Sequence, residues 1–460
     1  MNIRKPYINI GSAIWGVTAM IDESDKSLNY AWYVVFLLAL ANISSFLDRQ
    51  ILGLLVGPMK RDMHLTDTEV SLLMGLSFAL FYTVFGVVIG RFADRTNRRN
   101  IIMSGIALWS FLTALCAGVN TYGQFFLARM GVGVGEATLS PSAYSMITDY
   151  FPKRKLATAL SVFTMGIFLG SGLALAIGAG LVAGLPTEGT IAVPLLGNIY
   201  HWQKLFLMIG LPGLAISLLM VTVREPERKD KLKRHGADVE LKLHEALTII
   251  FRRAKTYFGL CLGTAFTALV NYGCQAWIPT YFHRTFGWPV PKAGLTYGLV
   301  LITASVSGIL WGGWYADRLL SKGVMNGRVL IGVIAGIVSL SSCFIPLVGD
   351  PNIVMILLVV PSFFLAAPMG ASTTAVQEMM PNQVRALSSA LFLFLINIIG
   401  LGLGPTIVAL FNDYVFADEN AIRFSLTALF TIGGVFALLF YWISYSAYKD
   451  TVARLAKEMN

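Results

Sequence analysis

Four charged residues stand inside long apolar stretches of this 460-residue sequence, where their types and spacing could support acid–base chemistry. Asp48 and Arg49 are adjacent, whereas Arg129 and Glu136 are seven residues apart. Seven residues are two helical turns, so the second pair shares one face at about 10 Å along the axis. Burial disfavours a charged carboxylate and a nearby arginine favours it, so an anion that captures the arginine lets the carboxylate take a proton. We therefore expect Asp48 and Glu136 to be proton-coupling groups, and Arg49 and Arg129 to be charge-switch or anion-contact residues.

An ion-pair network that only ties two helices together is the alternative for these four residues. A charged side chain at the centre of a bilayer costs about 2.5–3.5 kcal/mol on insertion scales, so its presence points to function by default. Counted from the predicted helix ends, the four charges lie at overlapping depths, which makes one cluster feasible. The six predicted membrane helices of the C-terminal half contain no Asp, Glu, Lys or Arg.

The elements that must position these residues are membrane helices. Only 13% of the residues are charged and 56% are hydrophobic, whereas soluble chains have about 25% charged residues. A span needs about 20 apolar residues. Twelve apolar segments meet that need, at 31–58, 70–90, 101–118, 123–145, 157–184, 204–223, 258–282, 293–315, 329–348, 353–376, 387–411 and 424–447. The sequence therefore predicts an all-α integral membrane protein.

The predicted helices fall into two bundles of six. A polar linker, 224–257, separates an N-terminal bundle at 31–223 from a C-terminal bundle at 258–447, with tails at 1–30 and 448–460. If both tails are cytoplasmic, 27 of the 35 Lys and Arg lie on the inside, as the positive-inside rule requires. The net charge of +10 thus indicates topology in a cell membrane, the inner membrane in a bacterium, and not nucleic-acid binding. Residues 7–20 are expected to be a loose tail or an interfacial helix.

Motifs of the first half recur in the second. The pattern G-x-x-A-D-R at Gly90–Arg95 returns 223 residues later at Gly313–Arg318, and Asp149 is echoed by Glu378 at an offset of 229. A Gly-x-x-x-Gly pair at 166 and 170 is echoed at 400 and 404. Repeats in register predict two pseudo-symmetric halves in parallel arrangement.

Twelve spans, a basic linker and these loops resemble the major facilitator superfamily over the whole chain. Residues 90–99 are similar to its G-x-x-x-D-R-x-G-R-R loop, except for Asn97 in place of glycine. With Asn97, with the Asp48-Arg49 pair and with the glycine-rich stretch 129–137, the sequence resembles the Spinster family of lipid transporters. Span five departs from the superfamily's antiporter motif, because Ser171 stands where that motif has proline.

The resemblance implies a cytoplasmic latch that holds the two halves together in the outward-open state. Asp94 is expected to meet the start of the eleventh helix, and Arg98 and Arg99 are expected to pair with Asp149. Ordinary positive-inside anchoring is the alternative for the arginines. The residues of this predicted latch are Gly90, Asp94, Arg95, Arg98, Arg99, Asp149, Asp317 and Arg318.

The substrate is expected to lie between the halves. Polar candidates for the cavity wall, each with helix packing as its alternative, are Asn271, Tyr272, Gln275, Thr373, Thr374, Gln377 and Asn397. A cavity charged on one side and apolar on the other suits an amphiphile, in agreement with the lysophospholipid or sphingoid-phosphate substrates that the Spinster resemblance implies. Small organic anions such as sugar acids are the alternative, and a non-transporting membrane receptor is a more remote one.

Catalysis, cofactors and metals are not expected. The five histidines show no pattern for acyl transfer, and the glycines at 131, 133 and 135 follow no strand that would suggest nucleotide binding. The cysteines Cys116, Cys261, Cys274 and Cys343 are isolated and have no metal-ligand spacing. The predicted partners are protons, membrane lipids and a lipid or small-molecule substrate, and the protein is expected to be a monomer.

Overall fold

The computed structural model describes residues 28–93, 96–186, 188–194, 196–227, 243–380 and 382–458. Within these ranges, ten helical segments are long and apolar enough to cross a membrane. Two further long helical segments, 122–150 and 254–286, complete a set of twelve. The predicted all-α membrane fold is therefore confirmed. The predicted tail segment 7–20 lies outside the described residues.

The N-terminal half contains the first six membrane helices and, after α1, a short helix at Val56–Met63. They are α1 (Leu28–Gln50, extended by the 3₁₀ turn Ile51–Leu54), α2 (Asp67–Met74 and Leu76–Ala93), α3 (Arg98–Leu115), α4 (Tyr122–Glu136 and Leu139–Tyr150), α5 (Lys153–Ala183) and α6 (Lys204–Leu219).

The C-terminal half contains the other six, preceded by a short helix at Leu243–Arg252 in the linker. They are α7 (Ala254–Phe286), α8 (Val290–Val300 and Val306–Ser321, joined by the π-helical turn Leu301–Ser305), α9 (Gly327–Ser341), α10 (Pro351–Leu357, Val359–Ala366 and Pro368–Glu378), α11 (Asn382–Leu395, Ile396–Gly402, Leu403–Leu410 and Phe411–Val415, the second and fourth π-helical) and α12 (Ile422–Glu458). Several helices run beyond the predicted spans because hydropathy marks the apolar part of a helix and not its polar ends.

Local sequence signals explain how the helices near the charged residues begin. Asn97, the departure from the loop motif, is the N-cap of α3, where its side chain accepts a hydrogen bond from the backbone N–H of Asn100 at 3.0 Å. Thr66 and Glu69 form a reciprocal capping box at the start of α2. These caps set where α3 and α2 begin, and so where Arg98 and Asp67 lie.

The two halves repeat the same packing. In the N-terminal half α1 packs on α5 and α3 on α6, and in the C-terminal half α7 packs on α11 and α9 on α12. Between the halves, α5 contacts α8 and α2 contacts α11. Because α2 corresponds to α8 and α5 to α11, these two contacts are related by the pseudo-symmetry that the repeated motifs predict.

Glycine allows the halves to approach closely. A Cβ atom added to Gly172 of α5 would lie 2.8 Å from the carbonyl oxygen of Gly298 in α8, and the reverse distance would be 2.6 Å. A Cβ atom on Gly75 of α2 would lie 2.6 Å from the carbonyl oxygen of Leu401 in α11. Side chains at these positions would push the halves apart.

The helix bundle has two ends, named here the linker end and the opposite end. The linker end carries residues 96–99, 150–153 and 223–227, and the opposite end carries residues 55–67, 184–186, 188–194, 196–201 and 416–422. At the opposite end a β-hairpin, which the sequence analysis did not predict, pairs β1 (Thr190–Val193) antiparallel with β2 (Gly197–Tyr200). It is anchored to the short helix Val56–Met63, because Tyr200 of β2 donates to the carbonyl of Asp62 at 3.1 Å and Trp202, just after β2, donates to the Asp62 carboxylate at 2.9 Å.

Candidate functional site

Arg49 and Glu136 form an ion pair between α1 and α4 inside the N-terminal half. The Arg49 Nη2 and Glu136 Oε2 atoms are 2.5 Å apart, and Arg49 Nε donates to the same oxygen at 2.6 Å. Ser45, one turn before Arg49, also donates to Glu136. The Arg49 guanidinium lies within 4.2–4.9 Å of the ring centroids of Phe46, Phe78 and Tyr82. Aromatic faces thus support the cation where water is excluded.

Asp48 and Arg129 form a second ion pair between the same two helices. Arg129 Nη1 donates to Asp48 Oδ1 at 3.1 Å, and Thr113 of α3 donates to the other carboxylate oxygen. The Arg129 side chain is fully buried and that of Asp48 is 2% exposed. Within the described structure, Nε and Nη2 of Arg129 and Oε1 of Glu136 have no hydrogen-bond partner. Each pair therefore keeps at least one hydrogen-bonding group that the described structure leaves unused.

One aromatic ring lies near the arginines of both pairs. Phe78 of α2 is fully buried, and its ring centroid lies 4.2 Å from Cζ of Arg49 and 6.0 Å from Cζ of Arg129. The partners Arg129 and Glu136 are seven residues apart, about two helical turns, so Asp48 and Arg49 reach two different levels of α4. The structure thus brings the four predicted residues together, as two crossed pairs with Phe78 near both arginines.

Only one of the four residues lines the cavity between the halves. This cavity has Arg49, Gln50, Gly53 and Met74 on the N-terminal side and Tyr272, Ala276, Leu401 and Pro405 on the C-terminal side. Asp48 instead borders a separate small gap between α1, α3 and α6. A ligand in the cavity between the halves would therefore meet Arg49 directly and reach Arg129 only through a rearrangement.

The seven polar residues predicted to line the cavity wall differ in where the structure places them. Tyr272 lines it, and Gln275 accepts a hydrogen bond across the halves from the cavity residue Gln50 at 2.7 Å. Sequence reasoning missed Gln50, although it directly follows the Asp48-Arg49 pair. Asn271 and Asn397 are partly buried and do not line the cavity. Thr373 and Gln377 are exposed. The hydroxyls of Thr373 and Thr374 donate to backbone carbonyls of their own helix, at Met369 and Gly370.

At the linker end, Arg98 holds the first half together. It is buried, and its guanidinium pairs with Asp149 at 2.5 Å and with Glu225 at 2.6 Å. Arg99 donates through its backbone N–H to Glu225 at 2.9 Å and through its side chain to the carbonyl of Val223 at 3.3 Å. These contacts join α3, α4 and the start of the linker, all within one half. Gly90 lies in the last turn of α2, and Asp94 and Arg95 are outside the described residues.

The C-terminal half repeats this arrangement around an arginine that the sequence analysis did not single out. Arg328 pairs with Glu378 at 2.7 Å and with Asp317 at 3.6 Å. Arg318 lies over the Trp314 ring, with Cζ 5.2 Å from the centroid. Arg98 and Arg328 are 230 residues apart, within one residue of the offset of 229 between Asp149 and Glu378, and this near-match is the signal that could have identified Arg328.

A further charged cluster, which the sequence analysis also missed, joins the two halves at the opposite end. Asp67 at the start of α2 pairs with Arg284 of α7 at 2.6 Å and with Lys60 at 2.6 Å. Lys60 in turn pairs with Glu419, just before α12, at 2.5 Å. In sequence these residues lie at helix ends and in loops, so nothing in a single chain marks them as a set. No group of three or more metal-ligating side chains is arranged to hold a metal ion in the described part of the chain.

The comparisons with known proteins agree on one family. Residues 38–405 match the family model for the Major Facilitator Superfamily. An MFS-type efflux pump from Mycolicibacterium smegmatis is 26% identical over 93% of this chain and 95% of that protein. A D-galactonate transporter from Escherichia coli O6:H1 is 24% identical over 81% of this chain and 87% of that protein.

Among solved structures, a bacterial homologue of the human lysosomal transporter Spinster, in an inward-facing and unoccupied conformation, has a similar fold. The TM-score is 0.75 at 24% sequence identity, over 92% of this chain and 98% of that one.

Proposed function

Because the chain belongs to the major facilitator superfamily, we propose that it is a proton-coupled secondary transporter that moves an amphiphile with an anionic head group by alternating access. Its family is one of transporters and not of enzymes, and the chain is a multi-pass membrane protein. The substrate class, the coupling ion and the cytoplasmic side are our proposals. Lysophospholipids and sphingoid phosphates are the amphiphiles that fit, and the protein acts as a monomer.

The observation that carries the proposal is the asymmetry of the cavity wall. Arg49 supplies a cation on the N-terminal side, whereas Ala276, Leu401 and Pro405 make most of the C-terminal side apolar. A guanidinium presents a planar fork that suits phosphate and carboxylate oxygens. An apolar wall facing that fork suits a hydrocarbon chain. The two features together match an amphiphile whose head lies at Arg49.

Proton coupling follows from the partner of Arg49. In this structure the Arg49 guanidinium neutralises the Glu136 carboxylate. An anionic head that binds Arg49 weakens this pairing, and a buried carboxylate without its counter-charge takes up a proton. Asp48 with Arg129 is a second pair of the same kind one level away, which a ligand reaches only through rearrangement. Substrate binding and proton uptake are thus linked through one side chain, with Asp48 and Arg129 as the next step.

The orientation of the transporter follows from its basic residues. The linker end carries most of the Lys and Arg, so we assign it and both termini to the cytoplasm, in the inner membrane if the cell is bacterial. The halves touch closely at the other end through Gly172, Gly298 and Gly75. This packing supports an inward-facing state. The motif residue Asp94 remains our proposed latch residue, together with Arg95, for the opposite, outward-open state.

A ligand panel tests the substrate class. Ligands that bind only the folded state stabilise it by about 2.7 kcal/mol at a hundredfold excess over Kd. We expect a lysophospholipid and sphingosine phosphate to raise the unfolding midpoint of the purified protein, with the rise lost in Arg49→Gln. Arg61→Gln, which removes an exposed arginine at the opposite end, is the matched control and is expected to keep it.

The same panel separates the alternatives. Stabilisation by hexuronates alone would overturn the amphiphile and favour small organic anions, whose carboxylate also suits the Arg49 guanidinium. Counterflow of a labelled ligand in proteoliposomes separates a transporter from a receptor, since a receptor binds without exchange. Binding without any counterflow would contradict transport itself.

A further inference from the structure

Four charged residues at the opposite end alternate between the two halves. Arg284 of the C-terminal half contacts Asp67 of the N-terminal half through both terminal nitrogens, at 2.6 and 2.8 Å. Lys60 of the N-terminal half contacts Glu419 of the C-terminal half at 2.5 Å. Two ion pairs of opposite polarity therefore cross the boundary between the halves.

Each of these residues also has an ion-pair partner within its own half. Lys60 contacts Asp67 at 2.6 Å, and Arg284 contacts Glu419 at 3.1 Å. Lys60 and Asp67 both belong to the N-terminal half, and Arg284 and Glu419 both belong to the C-terminal half. Separation of the halves would break both crossing pairs but leave each half with one cation beside one anion.

Neutral contacts strengthen the closed arrangement around Asp67. Asn412 of α11 donates to Asp67 at 2.8 Å, and Ser425 of α12 donates to Asn412 at 2.6 Å. Beside them, Thr68 donates to Asp413 through its backbone N–H and its hydroxyl, both at 2.6 Å. The Asp67 side chain is fully buried. While this end is closed, protein donors therefore take the place of water around the Asp67 carboxylate.

We propose that Lys60, Asp67, Arg284 and Glu419 form a partner-exchange lock, which holds the opposite end closed through its crossing ion pairs and opens by falling back on the pairs within each half. Removal of a partner from a buried ion pair is strongly unfavourable because a charge is left uncompensated. Partner exchange avoids this, since no charge loses all its partners when the halves part. The lock therefore favours the closed end without preventing its opening.

The lock makes different predictions for two of its members, Arg284 and Glu419. Loss of Arg284 removes the bidentate crossing pair, whereas loss of Glu419 removes a crossing pair whose acidic partner is 55% exposed. Arg284→Gln is expected to raise the ratio of open to closed opposite ends about tenfold or more. Glu419→Gln is expected to raise it about two- to fivefold. Arg284→Lys keeps the charge but loses the two-nitrogen contact with Asp67, so its ratio of open to closed ends is expected to lie between those of the parent and Arg284→Gln.

The experiment measures the distance between the halves at the opposite end. Gly123 and Gly349 are exposed there, one in each half, and a Cβ atom at either position meets nothing within 4 Å. Spin labels on cysteines at these two positions, read by pulsed electron resonance, report the closed and open populations. The four native cysteines are buried, which favours selective labelling.

The control is Arg61→Gln, which removes a cation of the same end whose partner is the adjacent residue Asp62. We expect its distance distribution to equal that of the parent. The lock is overturned if Arg284→Gln, Arg284→Lys and Glu419→Gln all give the same distribution as Arg61→Gln. Glu419→Gln keeps the test decisive if Arg284→Gln does not fold, because no buried charge loses its last partner.

The proposal rests on the alternating-access part of the proposed function and not on the substrate. The distances are measured without substrate or proton gradient, so a chain that fails to transport an amphiphile still reports on the lock. A single closed distance that no variant moves would overturn the lock. Transport by the parent in that case would leave the proposed function standing.

Discussion

The guanidinium of Arg49 lies 2.5 Å from the carboxylate of Glu136, in the middle of the first half and at the wall of the cavity. A neutral pair of this kind has no net charge to resist insertion into a membrane. The pair acquires a net charge only when Glu136 takes up a proton. In the proposed function, binding of an anion to Arg49 and protonation of Glu136 are therefore parts of the same event.

Glu136→Gln is expected to uncouple transport from protons. The amide can still accept from Arg49 and Ser45 but cannot take up a proton. Uptake driven by a pH gradient in proteoliposomes should fall by about tenfold or more, as expected for loss of a positioned proton-transfer group. Exchange of labelled for unlabelled substrate, which needs no net proton movement, should persist.

The matched control for this test is Glu188→Gln, which changes an exposed carboxylate in the loop before the hairpin. It should transport like the parent in both assays. Gradient-driven uptake that Glu136→Gln leaves intact would show that Glu136 has only a structural role. Asp48→Asn should be compared in the same series, because its pair is the second candidate for coupling.

Gln50 and Gln275 should behave as a coupled pair. Their hydrogen bond crosses the halves beside the cavity, and both side chains are buried. Gln275→Leu leaves Gln50 without this partner, at a cost of about 1–3 kcal/mol to the closed state. The double substitution to leucine removes both polar groups and should cost less than the sum of the two single ones.

Spin labels at positions 123 and 349 measure the ratio of open to closed opposite ends in the parent, in the two single variants and in the double variant. Additive effects of the two single substitutions would mean that the hydrogen bond does not couple the halves. Gln203→Leu is the control, because its amide donates to the carbonyl of Val119 within one half.

Different parts of the molecule were predictable to different degrees. The twelve helices followed from hydropathy, because in a membrane the backbone must satisfy its hydrogen bonds within each segment. Asp48, Arg49, Arg129 and Glu136 stood out because charge is rare in such segments. Which of them pair did not follow, since adjacent residues on α1 reach different turns of α4, and that depends on how the two helices cross.

The contacts between the halves were beyond reach of the sequence for another reason. Asp67 and Arg284 are 217 residues apart and lie at helix ends, where charges are ordinary. The same holds for Gln50 and Gln275, which helix packing alone could have explained. Only three-dimensional packing of the two halves identifies these contacts.

The hairpin of β1 and β2 was missed because its two strands have only four residues each, which is short beside the flanking helices.

Arg98 and Arg328, which occupy corresponding places in the two halves, should differ in their contribution to the free energy of unfolding. Arg98 is 2% exposed in its side chain and has two acidic partners at 2.5 and 2.6 Å. Arg328 pairs with Glu378 and Asp317, whose side chains are 41% and 73% exposed. Arg98→Gln should destabilise the protein by about 3–5 kcal/mol, as removal of one partner from a buried pair does.

Arg328→Gln should cost about 1 kcal/mol or less, because its partners remain in contact with water. Unfolding midpoints in detergent should follow this order, with the unrelated exposed Arg61→Gln near the parent value. If Arg98→Gln and Arg328→Gln lowered the unfolding midpoint equally, the burial of the Arg98 ion pairs would not make them the more stabilising ones.

Gly298→Ala should loosen the opposite end, because its Cβ atom would lie 2.6 Å from the carbonyl oxygen of Gly172 and 3.0 Å from the backbone nitrogen of Ala176. Backbone atoms cannot rotate away as a side chain can, so α5 and α8 must separate. Gly180→Ala on α5 adds the same methyl group where nothing lies within 4 Å. It should leave the distance between labels at Gly123 and Gly349 unchanged, whereas Gly298→Ala should lengthen it. A shorter or unaltered distance in Gly298→Ala would mean that the helices absorb the methyl group by sliding, and that this glycine contact does not set the closed state.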